Sequence, residues 1–473
     1  MTEQEAIEFC RNNPEAAAKI ILMVERLEAR IKELEEKLGM NSSNSSKPPS
    51  SDNKLSKKKA TQKNSEKRRG GQKGHKGNFL KKVEIPNKVV PLKSKVCKHC
   101  HEDIADVPSI KIEKRQLFDI PQIEIEVTEY QSHKVCCPHC QTMNQEKFPI
   151  NVKATTQYGD NIKAWVSYLN AHHMLPYERI AELIEDMVKH KISTGTIYNF
   201  LSESYNNLEA FEERLKKELR KEEIVHADET GVNVQGNLKW IHIASSNSAI
   251  HYGAHNKRGH EAMDAIDILP NYQGVLIHDH WSPYLHYNNI THSFCNAHIL
   301  RELQSQIDNH DKLWAKELQT LLKKANKIVK IHKEEQKTSL SNEIKDKIIK
   351  EYEKITSKAI KEYPPPKKSN KRGRPKQEKG KNLLDRLIKY QTETLRFIDD
   401  FRVPFTNNLA ERDLRMIKVK QKISGTFASF KGAELFCRIK SFIATLKKNS
   451  LSVLDGLRDS FTFQPMRLLG WGC

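Results

Sequence analysis

Ile224-Val225-His226-Ala227-Asp228 is a short apolar segment that ends in a carboxylate, and Gly274-Val275-Leu276-Ile277-His278-Asp279 repeats that pattern. Both segments predict buried strands. Two strands that each present an Asp at the carboxyl edge of an open α/β sheet can place both side chains at one site. Further strands are predicted at 238–244 and 249–254, with a helix at 261–269, so the pattern indicates an α/β domain.

A third acid, Glu411, lies in the segment Thr406-Asn407-Asn408-Leu409-Ala410-Glu411-Arg412, which opens a predicted helix. Three carboxylates suit Mg²⁺, and two such ions ~3.5–4 Å apart can stabilise the attacking and leaving oxygens of a phosphodiester displacement. Each acid also has a purely structural interpretation. Asp228 could belong to a turn, Asp279 could cap a loop, and Asn408 with Glu411 fits a capping box. The combination of the three favours a metal site.

The composition indicates a basic, polar protein with a formal net charge of +20 and 37% hydrophobic residues. No apolar run is long enough to predict a membrane span or a secretory signal, so we expect a cytoplasmic, nucleoid-associated protein. Most of the net positive charge lies in two segments, residues 47–82 and 364–381. The second contains Arg372-Gly373-Arg374, which resembles an AT-hook core whose arginines bind a narrow minor groove. Both segments are interpreted either as solubilising linkers or as DNA-binding arms.

Near the start of the chain, apolar residues follow a heptad spacing of 4, 3, 4, 3 and 4. They are Ile20, Val24, Leu27, Ile31, Leu34 and Leu38. This seam predicts a short coiled coil and hence a homodimer or higher oligomer. The alternative is a helix that packs on its own chain.

Two Cys-x-x-Cys pairs, Cys97/Cys100 and Cys137/Cys140, enclose a segment with alternating apolar residues at 110/112 and 123/125/127, which predicts half-buried strands. Four thiolates can form a closed structural Zn²⁺ site with no open position for catalysis. Cys136, His99, His101 and His139 are competing ligands, and unliganded core cysteines are the alternative.

A helix-turn-helix is predicted from Tyr177 onward. An amphipathic helix ends near Met187, and Ser193 is a plausible N-cap for a second helix. In a DNA-reading unit that second helix would present Thr194, Thr196, Tyr198 and Asn199 to base edges. Any two short packed helices share this periodicity, so simple packing is the alternative.

Residues 310–396 separate the second acid from the third, and two apolar stripes predict a helical hairpin that either clamps DNA or binds a second protomer. The predicted organisation is a coiled-coil helix and polar linker at 1–46, a basic flexible arm at 47–82, a zinc-binding β-rich domain at 83–155, a helical helix-turn-helix region at 156–222, a catalytic domain in two parts at 223–309 and 397–461, the helical insertion with its basic Pro-rich loop at 310–396, and a tail at 462–473.

Several motifs together resemble the insertion-sequence-66 family of bacterial DDE transposases. They are Asp228-Glu229-Thr230-Gly231, Asp279-x-x-x-x-Tyr284, Cys295-x-Ala297-His298-x-x-Arg301, Asn407-Asn408-x-Ala410-Glu411-Arg412-x-Leu414-Arg415 and Lys422-x-Ser424-Gly425. The likeness spans nearly the whole chain. His280-Trp281 departs from it, because such transposases more often have a small residue followed by an aromatic one, and His280 could crowd a metal or add a ligand.

This resemblance implies a multidomain α/β protein with an RNase H-like catalytic domain, whose catalytic triad is Asp228, Asp279 and Glu411. The metal would be Mg²⁺ or Mn²⁺, bound as two ions, and the reaction would be cleavage at the element's terminal repeats followed by strand transfer into target DNA. Helper proteins are possible partners. The basic residues after Glu411 are expected to line the DNA, and they are Arg412, Arg415, Lys418 and Lys422.

His298 and Arg301, three residues apart on one predicted helix face, either orient the DNA or only pack that helix. Two other functions remain open. One is a transposase-derived zinc and helix-turn-helix DNA-binding protein without activity, and the other is an RNase H-like nuclease that cuts without joining.

Overall fold

The computed structural model describes residues 2–45, 79–363, 377–462 and 464–471. Most of the predicted arm at 47–82, and Arg372 and Arg374 of the Pro-rich loop, therefore lie outside the described residues. The chain divides into two compact units, one formed by residues 57–127 and the other by residues 1–56 and 128–473. Each unit is considered by itself below.

The larger unit contains the regular structure. Its helices are α1 (Glu3–Asn12), α2 (Pro14–Gly39), α3 (Asp160–Ala171), α4 (Tyr177–Val188), α5 (Thr194–Asn207), α6 (Glu209–Lys221), α7 (His260–Ile266), α8 (Asn296–His310), α9 (Leu313–Glu334), α10 (Asn342–Ile360), α11 (Lys379–Lys389), α12 (Gln391–Asp399), α13 (Asn408–Ser424), α14 (Phe430–Lys448) and α15 (Val453–Phe461). Its strands are β1 (Lys134–Cys136), β2 (Met143–Gln145), β3 (Ile224–Val234), β4 (Asn237–Ser245), β5 (Ile250–His255), β6 (Val275–His278) and β7 (Thr291–Phe294).

A five-stranded mixed sheet is the centre of the larger unit, with strand order β5-β4-β3-β6-β7. The first three strands form an antiparallel meander, while β6 and β7 run parallel to β3 and to each other. The meander turns at Gln235 and Gly236, which both have positive φ, as a two-residue hairpin requires. This architecture confirms the predicted α/β class.

Strand β3 is longer than its sequence pattern predicts. Asp228 does not end the strand, because the chain continues to Val234 and Asp228 pairs with Ile243 of β4. The interpretation of Asp228 as a turn residue is therefore wrong. The reason is that the hairpin partner β4 provides a backbone ladder for residues that have no apolar run of their own. Strand β7, which was not predicted, pairs with β6.

Two hydrophobic cores build the larger unit. The first joins the sheet to α3–α6 and α13–α15, through buried residues such as Ile180, Phe211 and Phe442. The second core belongs to the insertion, where Trp314 and Tyr352 pack with residues of α8, α11 and α12. The predicted helical hairpin is confirmed as α9 and α10. The described part of the tail also packs on the first core, since the Trp471 ring stacks on Phe211 with centroids 5.8 Å apart.

The strands predicted between the two cysteine pairs are absent from the described residues 105–133. Ile110 is fully exposed and Val127 is 86% exposed, so the alternating residues bury no face. The β-rich prediction for this segment is wrong except for the β1–β2 hairpin. Alternation marks a potential strand, but a strand forms only where a second one completes its hydrogen bonds. No helix in the described part of the chain combines the length and apolar character needed to cross a membrane.

Candidate active site

The central sheet places Asp228 and Asp279 beside each other, because they occupy equivalent positions along the neighbouring strands β3 and β6. In the parallel ladder of β3 and β6, His226 pairs with Ile277. Asp228 lies two residues further along β3, and Asp279 lies two residues after Ile277, directly after the end of β6. Neighbouring strands are about 4.8 Å apart, so the two carboxylates flank one point on the sheet edge. Asp279 also caps the following turn, because its Oδ1 accepts a hydrogen bond from the Trp281 amide at 2.9 Å.

Glu411 lies near this edge in the first turn of α13, and Asn407 occupies the helix N-cap position without a side-chain capping hydrogen bond. Asn407 Nδ2 donates to Ala227 O at 2.8 Å, and its Oδ1 accepts from His226 Nδ1 at 2.8 Å. Burial lowers the pKa of His226 to about 4, so this imidazole is neutral. The Asn407 amide is thus used to join α13 to β3 beside Asp228, and Asn408 is not the N-cap that a capping box with Glu411 requires.

The electrostatics of Asp228 link the three acids. Burial raises its pKa well above the ordinary value, and the charges of Glu229, Asp279 and Glu411 raise it further. A buried carboxylate surrounded by like charges is the environment that a divalent cation neutralises. The residues present therefore fit a magnesium site. Their oxygens do not form a set within 4.8 Å among the described residues, and carboxylates that hold a pair of ions are spread more widely than that.

Glu229, the acid that follows Asp228 in the sequence, already has hydrogen-bond partners on both carboxylate oxygens. Arg258 donates to its Oε1 from Nε at 2.9 Å and from Nη2 at 2.7 Å, and the Tyr284 hydroxyl donates to its Oε2 at 2.5 Å. The Arg258 guanidinium in turn stacks over Trp281, with its carbon 4.1 Å from the ring centroid. Burial raises the pKa of Glu229, and the Tyr284 and Arg258 hydrogen bonds oppose that rise. Of these two adjacent acids, Asp228 is the one that forms no ion pair with a Lys, Arg or His side chain among the described residues.

Cys295 and His298 lie close to the Glu411 carboxylate. Cys295 Sγ and His298 Nδ1 each lie 3.7 Å from Glu411 Oε1, and Arg301 Nη2 lies 3.9 Å from Oε2. Burial raises the pKa of the Cys295 thiol to about 11, so the thiol is neutral. His280 packs its ring on Phe294, with centroids 4.2 Å apart, and burial lowers its pKa to about 3.

The basic residues after Glu411 lie along the exposed side of α13. Arg415, Lys418 and Lys422 follow Glu411 at helical spacing on one stripe, and Arg412 is also exposed. Lys418 differs from the others because its Nζ donates to the Gly231 carbonyl at 2.6 Å. The stripe leads away from the acids along the helix, and contact with DNA stays a prediction.

Helices α4 and α5 have the predicted helix-turn-helix order, and Ser193 caps α5 by accepting a hydrogen bond from the Thr196 amide at 3.1 Å. Thr194, Tyr198 and Asn199 are exposed and Thr196 is half-buried, while Ile197, Phe200 and Leu201 face the core. The capping prediction is confirmed. DNA reading by this helix stays a prediction.

The two cysteine pairs form turns with matching geometry. In the smaller unit the Cys97 amide donates to Glu102 O, and the His101 amide donates to Cys97 O. In the larger unit the Cys137 amide donates to Thr142 O, and the Gln141 amide donates to Cys137 O. The fifth residue of each turn has positive φ, 62° at His101 and 58° at Gln141.

Hydrogen bonds lower the pKa of one thiol in each pair. Backbone groups of Cys100 and His99 act on Cys97, and the Thr142 side chain and backbone act on Cys140. The two turns thus share the same backbone hydrogen bonds and the same positive φ at the fifth residue. Zinc binding by their cysteines stays a prediction.

The structure thus shows a mixed α/β domain with Asp228, Asp279 and Glu411 near one edge of its central sheet. The family model described as "Transposase IS66 family" matches residues 155–435. The chain belongs to this family, which confirms the resemblance seen in the sequence and implies an enzyme that acts on DNA in transposition. Residues 6–81 match the model of a second family, whose function is unknown (DUF6444). No curated protein is similar enough to the chain to match it.

Proposed function

We propose that this protein is a DDE transposase that cleaves DNA at the ends of its element and joins those ends to target DNA. The observation that supports this most directly is that Asp228 of β3 and Asp279, directly after β6, occupy equivalent positions beside each other along two adjacent parallel strands. Glu411 joins them because Asn407 fixes α13 to β3. The strand order, with three antiparallel strands followed by two parallel ones, is that expected of an RNase H-like domain.

The reaction consists of two displacements at phosphorus. Water attacks the phosphodiester at the element end, the P–O3′ bond breaks, and the leaving oxygen takes a proton to become a 3′-hydroxyl. That hydroxyl then attacks a target phosphodiester in line, forming a new P–O bond and releasing a target 3′-hydroxyl. Bound Mg²⁺ or Mn²⁺ would activate the attacking oxygen and stabilise the leaving one.

The chain's own residues have distinct parts in this proposal. Asp228, Asp279 and Glu411 would hold the metal ions. Arg412, Arg415 and Lys422, exposed on α13, would offset the charge of the DNA strand. Helix α5 would read the element end through Thr194, Tyr198 and Asn199, with the half-buried Thr196 at its edge.

We propose that α2 pairs with the same helix of a second copy. Glu36 lies on the side of α2 opposite the heptad seam and contacts its own chain, through His310 at 3.3 Å and Lys379 at 2.7 Å. The seam residues consequently face outward, and Leu27 is 50% and Leu38 71% exposed. A regular apolar seam of this spacing is buried most simply by an identical helix.

Incubation of the purified protein with labelled element ends and a target plasmid tests the proposed activity, in Mg²⁺ and in excess chelator. Joined products that require the metal are expected. Cleavage without joining would support a nuclease instead. A mobility shift with neither product would support a DNA-binding protein without activity, and either result would overturn the proposal.

A further inference from the structure

The candidate active site contains a second group of metal-ligating atoms, two of which belong to residues outside the acid triad. Cys295 immediately precedes α8, His298 lies in the first turn of that helix, and Glu411 lies in the first turn of α13. A sulfur, a ring nitrogen and a carboxylate oxygen from these residues all lie within 4.8 Å of one another. Among the described residues, this is the group of three that meets such spacing.

The His298 ring nitrogen in this group lacks a hydrogen-bond partner. His298 Nδ1 is buried, and no described atom donates a hydrogen bond to it or accepts one from it. Its distance of 3.7 Å from Glu411 Oε1 is too long for a hydrogen bond. A buried, unpaired nitrogen that faces a carboxylate and a thiol needs a further group between them.

The distances fit a metal ion in that position. Cys295 Sγ and His298 Nδ1 are each 3.7 Å from Glu411 Oε1. Ligand atoms at about 2.0–2.3 Å from a tetrahedral zinc ion are separated from one another by about 3.3–3.8 Å. Cys295 Sγ also accepts a hydrogen bond from the Asn407 amide at 3.1 Å, which would stabilise a thiolate.

We propose that Cys295, His298 and Glu411 form a site for Zn²⁺ or a similar transition metal, which has Glu411 in common with the proposed magnesium site. A thiolate and an imidazole select zinc over magnesium, which prefers oxygen ligands alone. On binding, the Cys295 thiol loses its proton to solvent and a sulfur–metal bond forms. The three ligands leave a fourth position for water.

Occupation of this site has a consequence that rests on the proposed function. Glu411 is shared, and a carboxylate bound to zinc beside Cys295 is withdrawn from the metal ions at Asp228 and Asp279. Zinc would therefore inhibit magnesium-dependent cleavage. The site makes the enzyme sensitive to free transition metal, with Glu411 as the residue for which the two metals compete.

Cobalt(II) binding to the full-length protein tests the site without reference to activity. A cobalt–thiolate bond gives a charge-transfer band in the near ultraviolet, whereas cobalt bound only by carboxylates gives none. We expect Cys295→Ser to reduce this band by one metal equivalent. His298→Ala, at a partly exposed position, should also reduce it, and this second variant keeps the test valid if Cys295→Ser does not fold.

Two variants serve as controls in the cobalt experiment. Cys437→Ser removes another buried cysteine, which lies in α14, and should leave the band unchanged. Asp228→Asn removes a proposed magnesium ligand and should leave it unchanged as well. The cysteines at 97, 100, 137 and 140 contribute equally in every variant. An identical band in the wild type, Cys295→Ser and His298→Ala would overturn the proposal.

Inhibition of cleavage is the second readout. In constant Mg²⁺, added Zn²⁺ should lower the wild-type rate at least about tenfold, and the ratio of rates with and without Zn²⁺ should approach one in Cys295→Ser. Equal inhibition of both proteins would overturn the competition at Glu411. If the wild type cleaves no DNA at all, the proposed function fails, whereas the cobalt band still decides whether the metal site exists.

Discussion

Single residues at the sheet edge have unequal roles although several are acidic. Glu229 has Arg258 and Tyr284 as partners, so its charge is compensated within the fold. Asp228 pairs with no such cation within the described part of the chain, and its raised pKa reflects burial together with the nearby acids. Residue type alone does not distinguish the two, whereas their partners do.

Removing any acid of the triad should abolish cleavage and leave binding of the element end intact. We expect Asp228→Asn, Asp279→Asn and Glu411→Gln each to lower the cleavage rate by at least about 10³-fold, because each removes a charged metal ligand. Gel-based cleavage and mobility-shift assays measure the two properties. Glu434→Gln, an acid in an exposed pair with Lys431, is the control and should cleave normally. Full activity in a triad variant would refute the role of that residue.

Asn407 is expected to act as a positioning residue. Asn407→Asp replaces the donor that faces Ala227 O by an acceptor, so α13 and Glu411 should shift relative to β3. We expect cleavage to fall about 10²-fold and unfolding free energy to fall by about 1–3 kcal/mol. The Mg²⁺ concentration for half-maximal cleavage should also rise, which a loss of folded protein alone does not cause. Asn408→Asp, at the exposed neighbouring position, should change none of these quantities.

The lowered pKa of Glu212 makes the unfolding free energy of the protein depend on pH in the acid range. Burial alone would raise its pKa, but the hydrogen bond from His251 and the charges of His251 and Arg438 outweigh this and lower it to about 2. Its stabilising contribution is therefore complete at neutral pH and is lost as the pH falls from about 4.5 toward 2.

We expect Glu212→Gln to destabilise the protein by about 3 kcal/mol at pH 7, with a smaller difference from the wild type at pH 3. Chemical unfolding at the two pH values measures it. Glu213→Gln, whose carboxylate forms an exposed pair with Lys216 on the same helix, should cost little at either pH. A difference for Glu212→Gln that does not depend on pH would contradict the assignment.

Helices and strands with a regular spacing of apolar residues were predictable from the sequence. Segments whose structure depends on hydrogen bonds to a distant part of the chain were not. The apolar runs of β3 and β6, the stripes of α9 and α10 and the Ser193 cap were all predictable. The extension of β3 beyond Asp228 was not, because it depends on β4. The expected strands at 110–127 are absent because no second strand completes them. Asn407 stood in a quoted motif, but its bond to Ala227 joins residues distant in sequence and has no local signal.

Substitutions in the apolar heptad seam of α2 test whether this helix pairs with the same helix of a second copy. Leu27→Lys places a charge at a heptad core position, so we expect the dimer to dissociate to monomer at micromolar concentration. Sedimentation equilibrium measures the mass. Glu25→Lys changes an exposed position outside the seam of the same helix and should leave the dimer intact. A wild-type protein that sediments as a monomer would remove the proposed pairing.

At the scale of the whole molecule, the two cysteine turns lie in different compact units, yet their backbone designs match. The Cys-x-x-Cys spacing in the sequence predicts structural zinc, and we expect Cys97→Ser or Cys137→Ser to lower the zinc content and the thermal midpoint. Elemental analysis of metal-replete protein measures zinc. Cys10→Ser removes an exposed free cysteine of α1 and is the matched control. A zinc content near zero in the wild type would contradict this expectation.

The insertion between Asp279 and Glu411 has a further consequence for how the protein folds. A long unstructured connection would impose a large entropic penalty on bringing Glu411 back to β3. The insertion instead condenses around its own apolar interior, which includes Phe294 at the end of β7 and Phe401 shortly before α13. In the folded protein this interior thereby holds the two ends of the insertion near each other. Substitutions inside this interior, such as Tyr352→Ala, should therefore slow assembly of the catalytic centre although they touch none of its residues.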